Sequence, residues 1–166
     1  MSVTDIRDRS DVERLVRLFY GRALADPVIG FIFVDVAHLD LEAHVPRITA
    51  FWETILLGGQ SYRGGAFRPH AALHAQVRLR RGHFERWLWL WCATVDELFA
   101  GDRAELAKSH AVRVAAAFHA RLEALTPADA EAGHALGSPG DRVPALTVIQ
   151  VAATDAPGAA APWQDD

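Results

Sequence analysis

The chain has one cysteine, one methionine and two tyrosines among its 166 residues. A lone Cys92 excludes an internal disulfide and suits a reducing compartment. No apolar run approaches the ~18 residues that a membrane-spanning helix needs. The opening Met1-Ser2-Val3-Thr4-Asp5 lacks the charged-then-apolar pattern of a secretory signal. A cytoplasmic protein with no membrane partner is the expectation. Excess positive charge is also missing, since 17 Lys and Arg stand against 21 Asp and Glu, a formal net charge of −4. The short basic run Arg78-Leu79-Arg80-Arg81 reads as a solvated loop, so nucleic acid is not an expected partner. No nicotinamide motif and no reductase domain are visible.

What is present is a core. Hydrophobic residues make up 51% of the chain, enough for one domain with a sizeable interior. The acids are unevenly placed: residues 127–166 hold six of them against Arg142 alone, and residues 1–126 are close to neutral. The two parts also differ in apolar content. Residues 127–166 are rich in Ala, Gly, Pro and Asp, a composition that buries too little to offset the entropy of ordering. Residues 1–126 are therefore expected to form the folded domain. Residues 127–166 are expected to be a mostly disordered acidic tail, with one β-prone island at Leu146-Thr147-Val148-Ile149-Gln150-Val151.

The first 126 residues read as helices separated by short breakers, which predicts an all-α fold. Val12, Leu15, Val16, Phe19 and Ala23 recur at helical spacing over about 11–25, with Ser10 and Glu13 placed as a capping box. Asp26-Pro27 ends this helix. The apolar run from Val28 to Val34 fits a short helix or turn. A second helix spans roughly 41–58 on the stripe Leu41, Val45, Ile48, Trp52 and Ile55, and Gly58-Gly59 stops it. Pro46 suggests that its regular part starts near Val45, with His44 in an irregular lead-in. A Gly-rich loop over 60–69 leads into a short helix near Phe67 to Ala71. Phe84, Trp87, Leu88, Trp91, Val95 and Leu98 line a helix over about 82–100. Asp102 is placed to cap a final helix with the stripe Leu106, His110, Val114, Phe118, Leu122 and Leu125.

Several side chains carry both a structural and a functional reading. His70 follows the Gly-rich loop at a short helix, between the apolar Phe67 and Leu73. A neutral imidazole held on a rigid element is what haem iron requires, although a surface histidine fits these residues equally. His74, four residues on, would share its face. That i,i+4 spacing also occurs in helical zinc sites, but no third ligand lies near in sequence, and a surface pair is the simpler reading. Tyr20 and Trp87 lie on apolar stripes, where packing alone explains them. Each also has a donor that needs a partner when buried. Trp89 points about 200° from Trp87 and is expected at the surface or between helices.

Four segments fall in a telling order: Leu18-Phe19-Tyr20, then His44-Val45-Pro46-Arg47-Ile48-Thr49-Ala50-Phe51-Trp52, then Tyr62 to Pro69-His70, then His83-Phe84-Glu85-Arg86-Trp87-Leu88. Together they resemble the truncated haemoglobins, and within them the third group, over about residues 8–126. The resemblance implies a two-over-two helical sandwich holding one haem b. It implies His70 as the axial ligand, with His74 as its rival, and a distal site built from Tyr20, Trp87 and a gating His44. A charge-assisted hydrogen bond from Tyr20 or Trp87 to bound dioxygen would be worth about 1.5–3 kcal/mol. Phe51, on the same face as His44, and Phe67 would line the haem. Arg47, Arg63 and Arg68 are candidates for the propionates. The chain departs from the family pattern in its Arg-rich stretch from Ala75 to Gly82, in Trp91 where Phe is commoner, and in its acidic tail. Reversible binding of dioxygen or another diatomic ligand is the function implied. Nitric oxide detoxification or peroxide chemistry on the same haem, served by an unidentified reductase, is an alternative, and a haem-free helical interaction module is another.

Overall fold

The computed structural model describes residues 3–62 and 73–125, and among these every regular element is helical. Helix α1 (Arg9–Ala25) buries Val12, Leu15, Val16, Phe19, Tyr20 and Ala23. Its cap is Asp8 rather than Ser10. The Asp8 carboxylate accepts from the amides of Ser10 and Asp11, and the Ser10 hydroxyl itself donates to Asp8 at 2.6 Å. Two candidate caps thus stood two residues apart, and the carboxylate gains the added attraction of the helix N-terminus. Asp26 closes the helix as expected.

The apolar run that follows becomes a π-helical turn, Ile32–Val36, in which the Ala37 amide reaches back five residues to Ile32 at 2.9 Å. Helix α2 (Leu41–Leu57) starts earlier than Pro46 suggested. Asp40 caps it at the Ala43 amide, and the helix runs through Pro46, accepting one missing hydrogen bond. Gly58 ends it in the left-handed conformation, φ 72°, that glycine adopts without a Cβ penalty. Residues 73–76 are helical. Helices α3 (Arg81–Leu98) and α4 (Asp102–Glu123) complete the described chain.

The four long helices form two layered pairs. α1 packs on α2, α3 packs on α4, and the pairs meet through α1 on α3 and α2 on α4. Aromatic rings fill the centre. Trp91 stacks on Trp52 at 4.3 Å and lies parallel to Trp87 at 5.9 Å, while Phe19 meets Trp87 and Trp91 edge-on at 5.6 and 5.2 Å. Each such pair contributes about 0.5–1.5 kcal/mol beyond its buried area. α4 turns Ala104, Ala107, Ala111 and Ala115 inward together with Val114, Phe118 and Leu122. Leu106, expected on that stripe, is instead exposed.

The start of α4 is capped from a distance. Asp102 does not cap it; the Asp5 carboxylate accepts from the amides of Arg103 and Ala104, both at 2.9 Å. Gly101 makes room for this: its φ is 144°, and a Cβ there would stand 2.5 Å from Asp5 Cγ. Ala100 N–H donating to Thr4 and Arg103 donating to the Ile6 carbonyl tie the same ends together.

Candidate functional site

Between the turn after α1, Leu79 and the first turns of α3 lies a narrow apolar cleft, partly open to solvent. Ile29, Ile32, Phe33, Leu79, Phe84 and Trp87 line it, with His83 the one polar side chain among them. Trp87 is 2% exposed, and its indole N–H has no hydrogen-bond partner among the described residues. Leaving such a donor buried and unmet costs about 1–3 kcal/mol. Trp91, one turn later, shows the contrast, because its N–H donates to the Ala107 carbonyl at 3.2 Å. The Trp87 donor thus has no use among the described residues, on a side chain whose ring lines the cleft.

Tyr20 is fully buried, its ring edge-on to Phe19 at 5.0 Å and to the cleft residue Phe33 at 5.9 Å. Phe19 touches both Tyr20 and Trp87, so the two predicted donors flank one ring on neighbouring helices. His44 is 7% exposed, and its Nδ1 lies 2.7 Å from the Asp40 carbonyl. A carbonyl only accepts, so Nδ1 carries the proton. In the neutral ring Nε2 is then an acceptor, and His44 offers a distal ligand a lone pair rather than a hydrogen bond.

The remaining expected residues spread around α2 and the chain after it. Phe51 is buried, but its ring neighbours are Trp52, Tyr62 and His110, at 5.3, 5.3 and 6.2 Å. Arg47 is half-buried and close enough to Tyr62 for its charge to be felt there; burial dominates and raises the Tyr62 phenol. His70, Phe67, Arg63 and Arg68 lie outside the described residues.

His74 is described, and its Nδ1 accepts the Leu79 amide at 3.3 Å. Burial and then Arg78 push its titration down. With Nδ1 accepting, its lone pair is used locally and the proton of the neutral ring sits on Nε2.

Two of the histidines without a role assigned from sequence lie beside these residues. His83 lines the cleft, accepts the Arg80 amide on Nδ1 at 3.1 Å, and is lowered by burial and Arg80. Its Nε2 is therefore the protonated, donating nitrogen. Only its third position in α3, a usual capping site, hinted at this. His110 packs against Phe51 and Trp52, and its buried Nε2 has no hydrogen-bond partner among the described residues. The structure offers no explanation for that second unmet group, nor for those of Thr49 and Trp52.

Among the described residues no group of three or more His, Cys, Asp or Glu could hold a metal ion, a condition a haem iron with one protein ligand does not require. An apolar slot bordered by an unmet donor suits a flat apolar cofactor that presents a small polar ligand. The apolar lining is of the kind a haem would need.

The layered pairs α1–α2 and α3–α4 define a truncated globin fold. The crystal structure of the group III truncated hemoglobin from Campylobacter jejuni superposes with a TM-score of 0.64, covering 73% of this chain and 95% of that one at 22% identity. No family model matches the chain, and no curated protein matches it. Among the described residues no helix is long and apolar enough to cross a membrane.

Proposed function

We propose that the protein holds one haem b and binds a diatomic ligand, dioxygen first, reversibly. The observation that carries this reading is the truncated globin fold together with the buried, unmet N–H of Trp87, a residue whose ring lines an apolar cleft. Bound haem would supply the ferrous iron that takes up the gas. His70 is the proposed axial ligand. The use of the His74 Nδ1 lone pair by the Leu79 amide supports His70 over its rival. Tyr20 and Trp87 are the proposed donors to the distal side of the ligand, and the ring of Phe33 backs Tyr20. His44, with its proton directed at Asp40, shapes and gates that side without donating in its neutral form. Phe51, Phe67 and Arg47 are proposed to border the cofactor. Nitric oxide removal on the same haem would draw electrons from a separate reductase.

The test is an absorbance titration of the full chain with haem. A Soret band that saturates at one equivalent is expected, with a ferrous form that binds carbon monoxide. His70→Ala should lose stable uptake or accept imidazole in rescue, and His74→Ala should keep the native spectrum. The reverse pattern moves the ligand to His74, and no Soret band at all leaves a haem-free helical module.

A further inference from the structure

Tyr20 sits on α1 and Trp87 on α3, so two donors meant for one ligand depend on whatever fixes these helices against each other. Far from the cleft, Arg22 of α1 donates to Thr94 at 3.2 Å and pairs with Glu97 at 2.5 Å. At the cleft end a second tie is built differently. Arg86, the residue before Trp87, sends Nε and Nη2 to one oxygen of Asp26, at 2.9 and 2.7 Å. The Asp26 side chain is 3% exposed. Its other oxygen accepts the amides of Val28 and Ile29, at 2.9 and 3.1 Å, and its carbonyl accepts Gly30 N–H at 2.8 Å.

One residue therefore ends α1, starts the turn that delivers Ile29, Ile32 and Phe33 to the cleft, and anchors α3. The turn has no slack, because a Cβ on Gly30 would stand 2.7 Å from the Leu24 carbonyl oxygen. From the solvent side the fork is held by Trp89, whose ring lies 4.6 Å beneath the guanidinium. Trp89 is 59% exposed, and this stacking gives an otherwise wasteful surface tryptophan a use.

We infer that Arg86, clasped to Asp26 and stacked on Trp89, is a positioning residue that sets the Tyr20 and Trp87 donors around one bound ligand. This role rests on the haem reading above. The planar fork is what the geometry requires, since both guanidinium nitrogens converge on one oxygen, and a lysine keeps the charge but loses the fork.

The experiment uses the full chain carrying Arg86→Lys, with Arg81→Lys, an exposed i,i+4 partner of Glu85, as control. In the haem-free chain, amide exchange at Val28 and Ile29 should quicken in Arg86→Lys and stay unchanged in the control. In the haem-loaded chain, Arg86→Lys should keep its Soret band, raise the dioxygen dissociation rate about two- to thirtyfold, and shift the stretching frequency of bound carbon monoxide. Trp89→Ala should move the same readouts in the same direction by less, and it decides the matter if Arg86→Lys fails to fold. Faster exchange with an unchanged dissociation rate and carbonyl stretch overturns the positioning role and leaves a structural pair. A native chain that takes up no haem overturns the haem reading and this role with it, and the missing Soret band identifies that failure.

Discussion

Two tryptophans one turn apart on α3 make a matched experiment. Trp87 and Trp91 are both buried and their rings are parallel at 5.9 Å, so replacing either indole by a phenyl removes similar area from the same cluster. They differ in the indole hydrogen bond and in the stack of Trp91 on Trp52. Trp91→Phe deletes the hydrogen bond to Ala107, worth about 0.5–1.5 kcal/mol. Trp87→Phe deletes a donor that has no partner among the described residues, relieving a desolvation cost of about 1–3 kcal/mol. The buried area lost is similar, but Trp91→Phe also weakens the stack on Trp52, by up to about 0.5–1.5 kcal/mol. In the haem-free chain, urea unfolding should therefore place Trp91→Phe about 2–6 kcal/mol below Trp87→Phe, with unchanged denaturant slopes. In the haem-loaded chain the order of effects reverses. Trp87→Phe should raise the dioxygen dissociation rate about ten- to a hundredfold, the loss of one charge-assisted bond, while Trp91→Phe leaves that rate near native. Stopped-flow displacement by carbon monoxide reads it. If Trp87→Phe costs the haem-free chain as much as Trp91→Phe, the Trp87 donor is satisfied within the protein and the argument for a ligand-facing indole collapses.

Three other expectations follow from the structure. Gly30→Ala should destabilise the chain by about 1–3 kcal/mol in denaturant titration, because its Cβ meets backbone at Leu24 rather than a movable side chain. Burial pushes the Asp26 carboxyl up, but Arg86 and the Val28 and Ile29 amides outweigh it and hold it below the ordinary 3.8. A depressed folded value stabilises fully above the unfolded one and is lost as pH falls through it. Asp26→Asn should therefore lower stability at neutral pH and flatten its decline below about pH 4, read from thermal melts across that range. We further propose that residues 1–126 are the folded unit, so that a chain ending at Thr126 keeps its haem spectrum, ligand affinity and most of its thermal stability. Aggregation or a several-fold change in ligand access rates on truncation would make the acidic tail a structural cover.

The parts of the fold legible in sequence are those decided within one helix. The stripe from Val12 to Ala23 and the triplet Phe84, Trp87 and Trp91 face the core as their spacing requires, and Trp89 turns outward for the same reason. Helix starts were harder, because neighbouring residues compete for one task. Ser10 and Asp8 both suit the cap of α1, and Asp5, far away in sequence, takes the role that Asp102 seemed placed to fill. The inner face of α4 was misread where hydrophobicity and size disagree. Four alanines go inside and Leu106 stays out, because small side chains let a helix approach its neighbours closely. At the site, burial of Tyr20, His44 and Trp87 was anticipated through the family resemblance, yet the protonated nitrogens of His44, His74 and His83 were not. Those are fixed by single backbone groups at Asp40, Leu79 and Arg80, and no side-chain pattern reports them.

The long-range cap of α4 bears on how the chain is made. Asp5 leaves the ribosome and waits while nearly a hundred further residues are synthesised before Arg103 and Ala104 can offer it their amides. Synthesis at about 5–20 residues per second makes that interval several seconds or longer, far beyond the microseconds in which α1 can form. α1 and α2 therefore have time to pair while the anchor point of α4 is still unfilled. Closing the cap joins the segment before α1 to the last described helix. An extension placed immediately before Asp5 should accordingly slow the final folding phase more than it perturbs the finished protein.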